Sequence, residues 1–371
     1  SSVGDGCNAS GVTYVAYLFA HDTGTDGLIQ CGSFVSSASA LNVTLGWEPQ
    51  FLLCKRSSGA DNWNLVDMAR GFQVDRSVAT VVLQANLPAA EAAIGLFGPT
   101  ATGFTHTNGT AGDTYIYLAI HRPNKPPTTG TQVYNAIART GTGVAATVTG
   151  VGFAPDLDIF AIRENGGADG RTHCIDRLRG GAQRVFVTST GAESTSTELI
   201  TAFSMDGFTL GTAVGLNENG KTFVNWNFKR APGVFDIVCY TGTGVAKTEA
   251  HNLGVVPELV IVKCRQDSTR KNWVVYAASQ GNTKSAWLEA TGAFSVTGYT
   301  EWSNTSPTAS VFTIGTEPAV NQNGYTYVCY LFATLAGISK VGSYTGNATT
   351  NTIDCGFTTG ARFVLIKRTD S

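Results

Sequence analysis

The chain has 371 residues, of which only 14% are charged, and its net charge is −2. A charge set this sparse and balanced argues against nucleic acid, whose binders cluster Lys and Arg along one face, and no run of 18 apolar residues offers a membrane-spanning helix. The length predicts two or three domains. The chain opens at Ser1 with neither an initiator methionine nor a signal peptide, so a segment from inside a longer polypeptide is expected.

In chain order, the same elements recur about every hundred residues. The clearest landmark is a glycine, an apolar residue and usually a proline before an apolar run: Gly46-Trp47-Glu48-Pro49, Gly152-Phe153-Ala154-Pro155, Gly254-Val255-Val256-Pro257, and Gly356-Phe357 without the proline. Its glycines, at 46, 152, 254 and 356, are separated by 106, 102 and 102 residues. A period this long describes whole small domains in series, not a short-repeat solenoid. The boundaries read as 1–26 (the C-terminal part of a preceding repeat), 27–127, 128–232 and 233–336 (full repeats), and 337–371 (the N-terminal part of a further repeat). Pro123–Pro127 and Ala231–Gly233 read as short links that space rigid beads.

Each unit opens on a glycine-rich turn, as in Arg139-Thr140-Gly141-Thr142-Gly143 and Tyr240-Thr241-Gly242-Thr243-Gly244, where glycine supplies positive φ. The apolar runs after the landmark, 51–54, 157–162, 259–262 and 363–366, have the length and continuous apolarity of strands covered on both faces. A segment ending in glycine follows, Trp63 to Gly71 in unit one, Thr172 to Gly180 in unit two and Trp273 to Gly281 in unit three. A closing strand then recurs at 14–19, 115–120, 223–228 and 327–332. In unit two it alternates, with Val224, Trp226 and Phe228 on one face and Asn225, Asn227 and Lys229 on the other. The apolar set is expected to face the unit's interior, as are Val15, Tyr17, Phe19; Ile116, Leu118, Ile120; and Val328, Tyr330, Phe332. Cys329 and Leu331 would then touch a neighbouring unit or chain. Only Leu87 to Leu96 looks helix-prone. The fold class expected is all-β, a tandem array of antiparallel β-sandwich domains of about 100 residues, jelly-roll or lectin-like. A single propeller is the alternative, although its blades are usually only 40 to 50 residues long.

Taken together, the YTGnG-like opening (Tyr240 to Gly244), the GFxP turn (Gly152 to Pro155), the W…D..RG segment (Trp63 to Gly71), GFTLG (Gly207 to Gly211) and the closing strand (Thr13 to Ala20) define a resemblance. The chain resembles a roughly 100-residue repeat domain of uncharacterised function in virion proteins of tailed bacteriophages, especially marine and cyanobacterial ones. The resemblance covers nearly the whole chain. It implies tail fibres, tail-associated structural proteins or head decorations, and homo-oligomerisation, a trimer in the case of a fibre. The motifs are not intact throughout: unit two has Thr172 where the tryptophan stands, and unit three has Ala277 and Gln280 in place of the aspartate and arginine.

Candidate ligand contacts are the pairs Asp67/Arg70 and Asp176/Arg179, because a guanidinium fork suits carboxylates and sugars; a turn-stabilising ion pair is the plainer account. Trp302 could stack on a sugar ring, whereas Trp63 is expected in a core. The five histidines, His21, His106, His121, His173 and His251, occupy non-equivalent places and read as surface or turn residues. The turns Asn217-Glu218-Asn219-Gly220 and Asn321-Gln322-Asn323-Gly324 read as hairpin chemistry in preference to calcium loops. The eight cysteines show no metal spacing and read mostly as reduced, buried, small apolar residues. No catalytic motif, metal site or cofactor is expected, and neither nucleic acid nor membrane as a partner. The function expected is a non-enzymatic virion structural protein, assembled in the host cytoplasm and exposed on the particle, bound to other virion proteins and to copies of itself. Host-surface polysaccharide is a second partner class, and a carbohydrate-binding module or a bacterial surface adhesin the alternative reading.

Overall fold

The computed structural model describes residues 9–24, 27–74, 80–164, 169–266, 272–296 and 301–370; Cys7 lies outside them. The fold is all-β, built of antiparallel sheets. In each of three successive segments the larger sheet places the closing strand second, between the first strand and the strand that follows the landmark glycine. In unit one its order is Ile29–Val35, Thr114–His121, Pro49–Arg56, Asn64–Asp67, Val81–Gln84, Ala92–Ala93. Unit two repeats it with Tyr134–Thr140, Thr222–Phe228, Leu157–Ile162, His173–Asp176, Gln183–Phe186 and Ser194–Thr195. Unit three does so with Phe235–Thr241, Thr326–Phe332, Leu259–Cys264, Val274–Ala277 and Ala286–Trp287. The register recurs too: Ile120, Phe228 and Phe332 pair with Ile29, Tyr134 and Phe235 on one side and with Phe51, Leu157 and Leu259 on the other.

Each unit also has a smaller sheet: Leu41–Thr44, Gly103–His106 and Phe97–Thr100 in unit one; Ala146–Val148, Gly207–Leu210 and Ile200–Ser204 in unit two; Lys247–Ala250 and Val311–Ile314 in unit three. The two sheets share a core. Leu52, Cys54, Val66 and Ala119 meet Phe97 and Phe104 in unit one; Phe160 and Ile175 meet Phe208 and Leu210 in unit two; Val260, Val262 and Cys329 meet Phe312 and Ile314 in unit three. Burying each such Val, Leu, Ile or Phe side chain contributes about 1.5–3 kcal/mol.

The landmark glycine has one physical cause throughout. Gly46, Gly152, Gly254 and Gly356 all lie at positive φ, between 70° and 88°, where a Cβ is strained. Gly141 and Gly242 answer a different need: a Cβ there would come within 2.1 and 2.2 Å of the Glu218 and Gln322 carbonyl oxygens. The segment Leu87 to Leu96 is not helical. Ala92 and Ala93 pair with Val82 and Val81 as a short strand, because Pro88 and Gly95 leave too few residues between them for a stable helix. The α-helices among the described residues are the single turns Val214–Asn217 and Pro318–Asn321.

Two further expectations are corrected. In the closing strand of unit two, Asn225 and Asn227 are fully buried inside the unit, while Val224, Trp226 and Phe228 lie on the outer face, partly covered. Likewise Cys329 and Leu331 fill the interior of unit three, while Val328 and Tyr330 point out of it. Alternation with period two separates two faces without saying which is inside, and here both are covered.

The units are also not spaced beads. A fourth core joins Leu157, Cys174 and Val185 on the outer face of the larger sheet of unit two to Ile237, Ile261, Val275, Val328 and Tyr330 on that of unit three. Ala231, in the segment read as a link, and Val234, just after it, are buried within it. The C-terminal segment adds to this cover: the Phe363 ring lies 5.5 Å from Phe228 and 5.7 Å from Tyr134, centre to centre.

Candidate functional site

The aspartate and arginine of the W…D..RG segment are brought together in both units that have them. In unit one, Asp67 ends its strand and caps a short 3₁₀ turn, accepting from the Arg70 backbone N–H at 3.0 Å and from its Nε at 2.7 Å. Arg70 Nη1 donates to Glu91 at 3.0 Å, and Nη2 to the Leu65 carbonyl at 3.3 Å. Unit two builds the same figure. Asp176 accepts from the Arg179 N–H at 2.8 Å and from its Nε at 2.5 Å, while Arg179 donates to Glu193 at 2.6 Å and to the Cys174 carbonyl at 3.2 Å. The third member, Glu91 or Glu193, escapes sequence reading because it lies 21 residues after the arginine in one unit and 14 in the other. In unit three, Ala277 and Gln280 leave the corresponding turn without an acidic cap.

The surroundings differ sharply. The Asp67 and Arg70 side chains are 24% and 23% exposed, whereas Asp176 and Arg179 are wholly buried. Unit three makes the seal. The Tyr330 hydroxyl donates to Asp176 at 2.8 Å and accepts from Arg179 Nη2 at 3.1 Å. Arg265 closes on Glu193 at 2.6 Å, and Lys263 donates to the Thr190 carbonyl at 3.1 Å. Burial works against a charged guanidinium, but Asp176, Tyr330 and Glu193 outweigh it and hold Arg179 well above its usual range. Burial pushes the Tyr330 hydroxyl well above its own. The pair in unit two is therefore an internal brace between units, and no ligand can reach it without displacing Tyr330.

A second ionic junction draws on all three units. Arg230 donates to both Glu48 oxygens at 2.9 and 2.8 Å and lies 3.4 Å from Asp156. Arg122 lies 3.7 Å from Glu48 and 3.2 Å from Asp236. All five are buried. Desolvation raises the Glu48 carboxyl despite Arg230 and Arg122, while for Asp156 Arg230 and Arg177 outweigh desolvation and lower it. Beside Glu48 a cavity of about 10 Å³, lined also by Val74, Leu178 and Ile237, marks where the three units meet; it has room for about one water.

The remaining candidates are placed as follows. Trp302, read as a sugar-stacking residue, is 3% exposed and packs edge-on to Tyr276; Trp63, expected in a core, is 36% exposed. Four histidines read as surface residues, His106, His121, His173 and His251, are buried. His106 sits among Phe34, Phe97 and Tyr115, and burial lowers its pKa. Asn217 and Asn321 are clamps: each Nδ2 donates to a carbonyl of the opening turn, Val144 or Val245, at 2.7 Å, and each Oδ1 accepts from the Thr142 or Thr243 N–H. The seven described cysteines are free thiols. No group of three His, Cys, Asp or Glu side chains converges as a metal site among the described residues, and none of their helices is long and apolar enough to cross a membrane.

One polar group was missed altogether. Asp158 is fully buried inside unit two, opposite Asn227 and near Asn225. Neither Asp158 oxygen and neither Asn225 side-chain atom has a hydrogen-bond partner among the described residues. Desolvation raises the Asp158 carboxyl well above the carboxylate range, against the pull of Arg177. The corresponding positions are Leu52, Tyr117 and Ala119 in unit one and Val260, Cys329 and Leu331 in unit three. A single charged residue within the run Leu157–Ile162 was the available signal.

No curated protein shows a significant match to the chain. A family model described as a domain of unknown function, DUF7483, matches residues 1–123 and 129–371, nearly the whole length, and the chain, with its repeated sheet pairs and braced junctions, belongs to that family.

Proposed function

We propose that the chain is a non-enzymatic structural component of a tailed-phage particle, a fibre or surface decoration, assembled in the host cytoplasm and exposed on the virion. The observation that carries the structural reading is the Asp176–Arg179 pair, whose guanidinium fork is spent on Glu193, the Cys174 carbonyl and Tyr330 of the next unit. Buried charge here holds units in register, and removing one partner of such a group is strongly destabilising. The virion assignment rests on the order of the repeated sequence motifs. Other virion proteins and copies of the chain are its partners in this reading. Host polysaccharide is the second, favoured by the aromatic faces of Trp63 and Trp287, 36% and 45% exposed.

Immunogold labelling of particles with antibodies to the purified chain tests the reading. Labelled tails or heads are expected; label confined to a bacterial envelope would overturn it in favour of the adhesin. Glycan-array binding lost in Trp287→Ala would establish the polysaccharide role, and no binding at high concentration would leave the scaffold alone.

A further inference from the structure

The triplets Asp67/Arg70/Glu91 and Asp176/Arg179/Glu193 match group for group, down to the bond from the guanidinium to the Leu65 or Cys174 carbonyl. In unit two the triplet is roofed by the closing strand of unit three, through the outward stripe Val328-x-Tyr330-x-Phe332. In unit one the same outer face, with Phe51, Leu53, Leu65 and Leu118 beside the triplet, is only partly covered. Ile116 is 40% exposed there, whereas its counterpart Val328 is fully buried. An apolar sheet face left partly exposed points to an interaction surface.

The chain also carries a second copy of the roof. Val15-x-Tyr17-x-Phe19 repeats the stripe residue for residue and is 79%, 82% and 54% exposed. Just beyond it the chain is tied to the sheet edge of unit one: the Cys31 N–H donates to His21 Nδ1 at 3.0 Å and the Asp22 N–H to the Ile29 carbonyl at 2.9 Å. At these exposures the stripe itself does not lie over that face.

We propose that the face of unit one binds a second copy of this chain, which seats its Val15-Tyr17-Phe19 stripe there, with the Tyr17 hydroxyl donating to Asp67 and accepting from Arg70 as Tyr330 does in unit two. The occupant is named by that internal precedent, since this chain already closes one such triplet with this stripe. Stripe and face are different surfaces, so the contact is heterologous and each copy offers both, which builds rings or chains. The inference rests on the part of the proposed function that pairs the chain with copies of itself and gives that contact a surface; its failure would leave the particle location, tested by immunogold labelling, untouched.

Sedimentation equilibrium of the full chain tests it. A mass that rises with concentration is expected, and the monomer for Tyr17→Ala, which alters an exposed segment and leaves the folded units intact. Tyr17→Phe keeps the ring but loses both hydroxyl bonds to charged groups, and should weaken association roughly tenfold or more. Leu53→Asp on the receiving face should also give the monomer, with circular dichroism confirming its fold. A thiol-reactive bifunctional cross-linker should join Tyr17→Cys chains to Asp67→Cys chains, mapped by mass spectrometry, because thiols at two positions that meet through a tyrosine side chain lie too far apart for a direct disulfide. A wild-type chain that stays monomeric at every concentration, association indifferent to Tyr17→Ala, or a 17–67 cross-link formed within one chain in the double variant would each overturn the proposal.

Discussion

Units one and two present the same outer sheet face with the same Asp–Arg–Glu figure at its centre, yet one figure is partly exposed to solvent and the other is sealed. Hydrogen-bond geometry barely distinguishes them; what differs is the cover. Arg70 has water as an alternative partner, whereas Arg179 has only Asp176, Glu193, the Cys174 carbonyl and Tyr330. An identical local motif can thus be a minor surface ion pair in one place and the brace of a domain junction in another.

The largest expected effect breaks the comparison directly. Arg179→Ala should destabilise by about 3–5 kcal/mol, because it strands buried carboxylates, whereas Arg70→Ala should cost no more than about 1 kcal/mol; urea denaturation of the two variants measures the difference. Equal losses would show that the seal does not matter. Tyr330→Phe removes only the hydroxyl that links the units and should cost about 1.5–3 kcal/mol, the range for bonds to charged groups, read the same way.

The next prediction contrasts unit interiors. The Asp158 carboxyl is raised in the folded chain, so its protonated form favours folding. That contribution is complete below the ordinary carboxyl value of 3.8 and is lost as pH rises through the folded value, leaving a liability at neutrality. Asp158→Asn should therefore stabilise by about 1–3 kcal/mol at pH 7, with the gain shrinking towards pH 4, as followed by thermal melting at several pH values. The smallest effect runs the other way. Burial lowers His173 from 6.5 to about 4, so the folded state holds it neutral and stability falls as pH drops through that window. A loss on the order of 1 kcal/mol between pH 6.5 and 5.5 is expected, and His173→Phe should remove it.

The repeat, the strand plan and the glycine turns were legible because backbone geometry imposes them on single residues. Gly46, Gly152, Gly254 and Gly356 recur since each must hold positive φ. What was not legible depends on packing between segments distant in sequence. The Asn225/Asn227 face was assigned outward because amides usually meet water, yet in this unit they line the interior. The pairing of Asp176 and Arg179 could be read from their spacing of three, but the roof over them could not, because Tyr330 lies 154 residues away from Asp176. Glu48, Arg122 and Arg230 gave no signal either, since their partners come from three different repeats.

That five-membered junction bears on how the chain melts. Unfolding unit one strips a counter-ion from Arg230 of unit two and from Asp236 of unit three, and unfolding either of those strips one from unit one, so partly melted species are disfavoured and the three sheet pairs should lose structure in one step. Calorimetric and van 't Hoff enthalpies should then agree for the whole assembly of repeats, where independent modules in series would give a calorimetric value about three times larger.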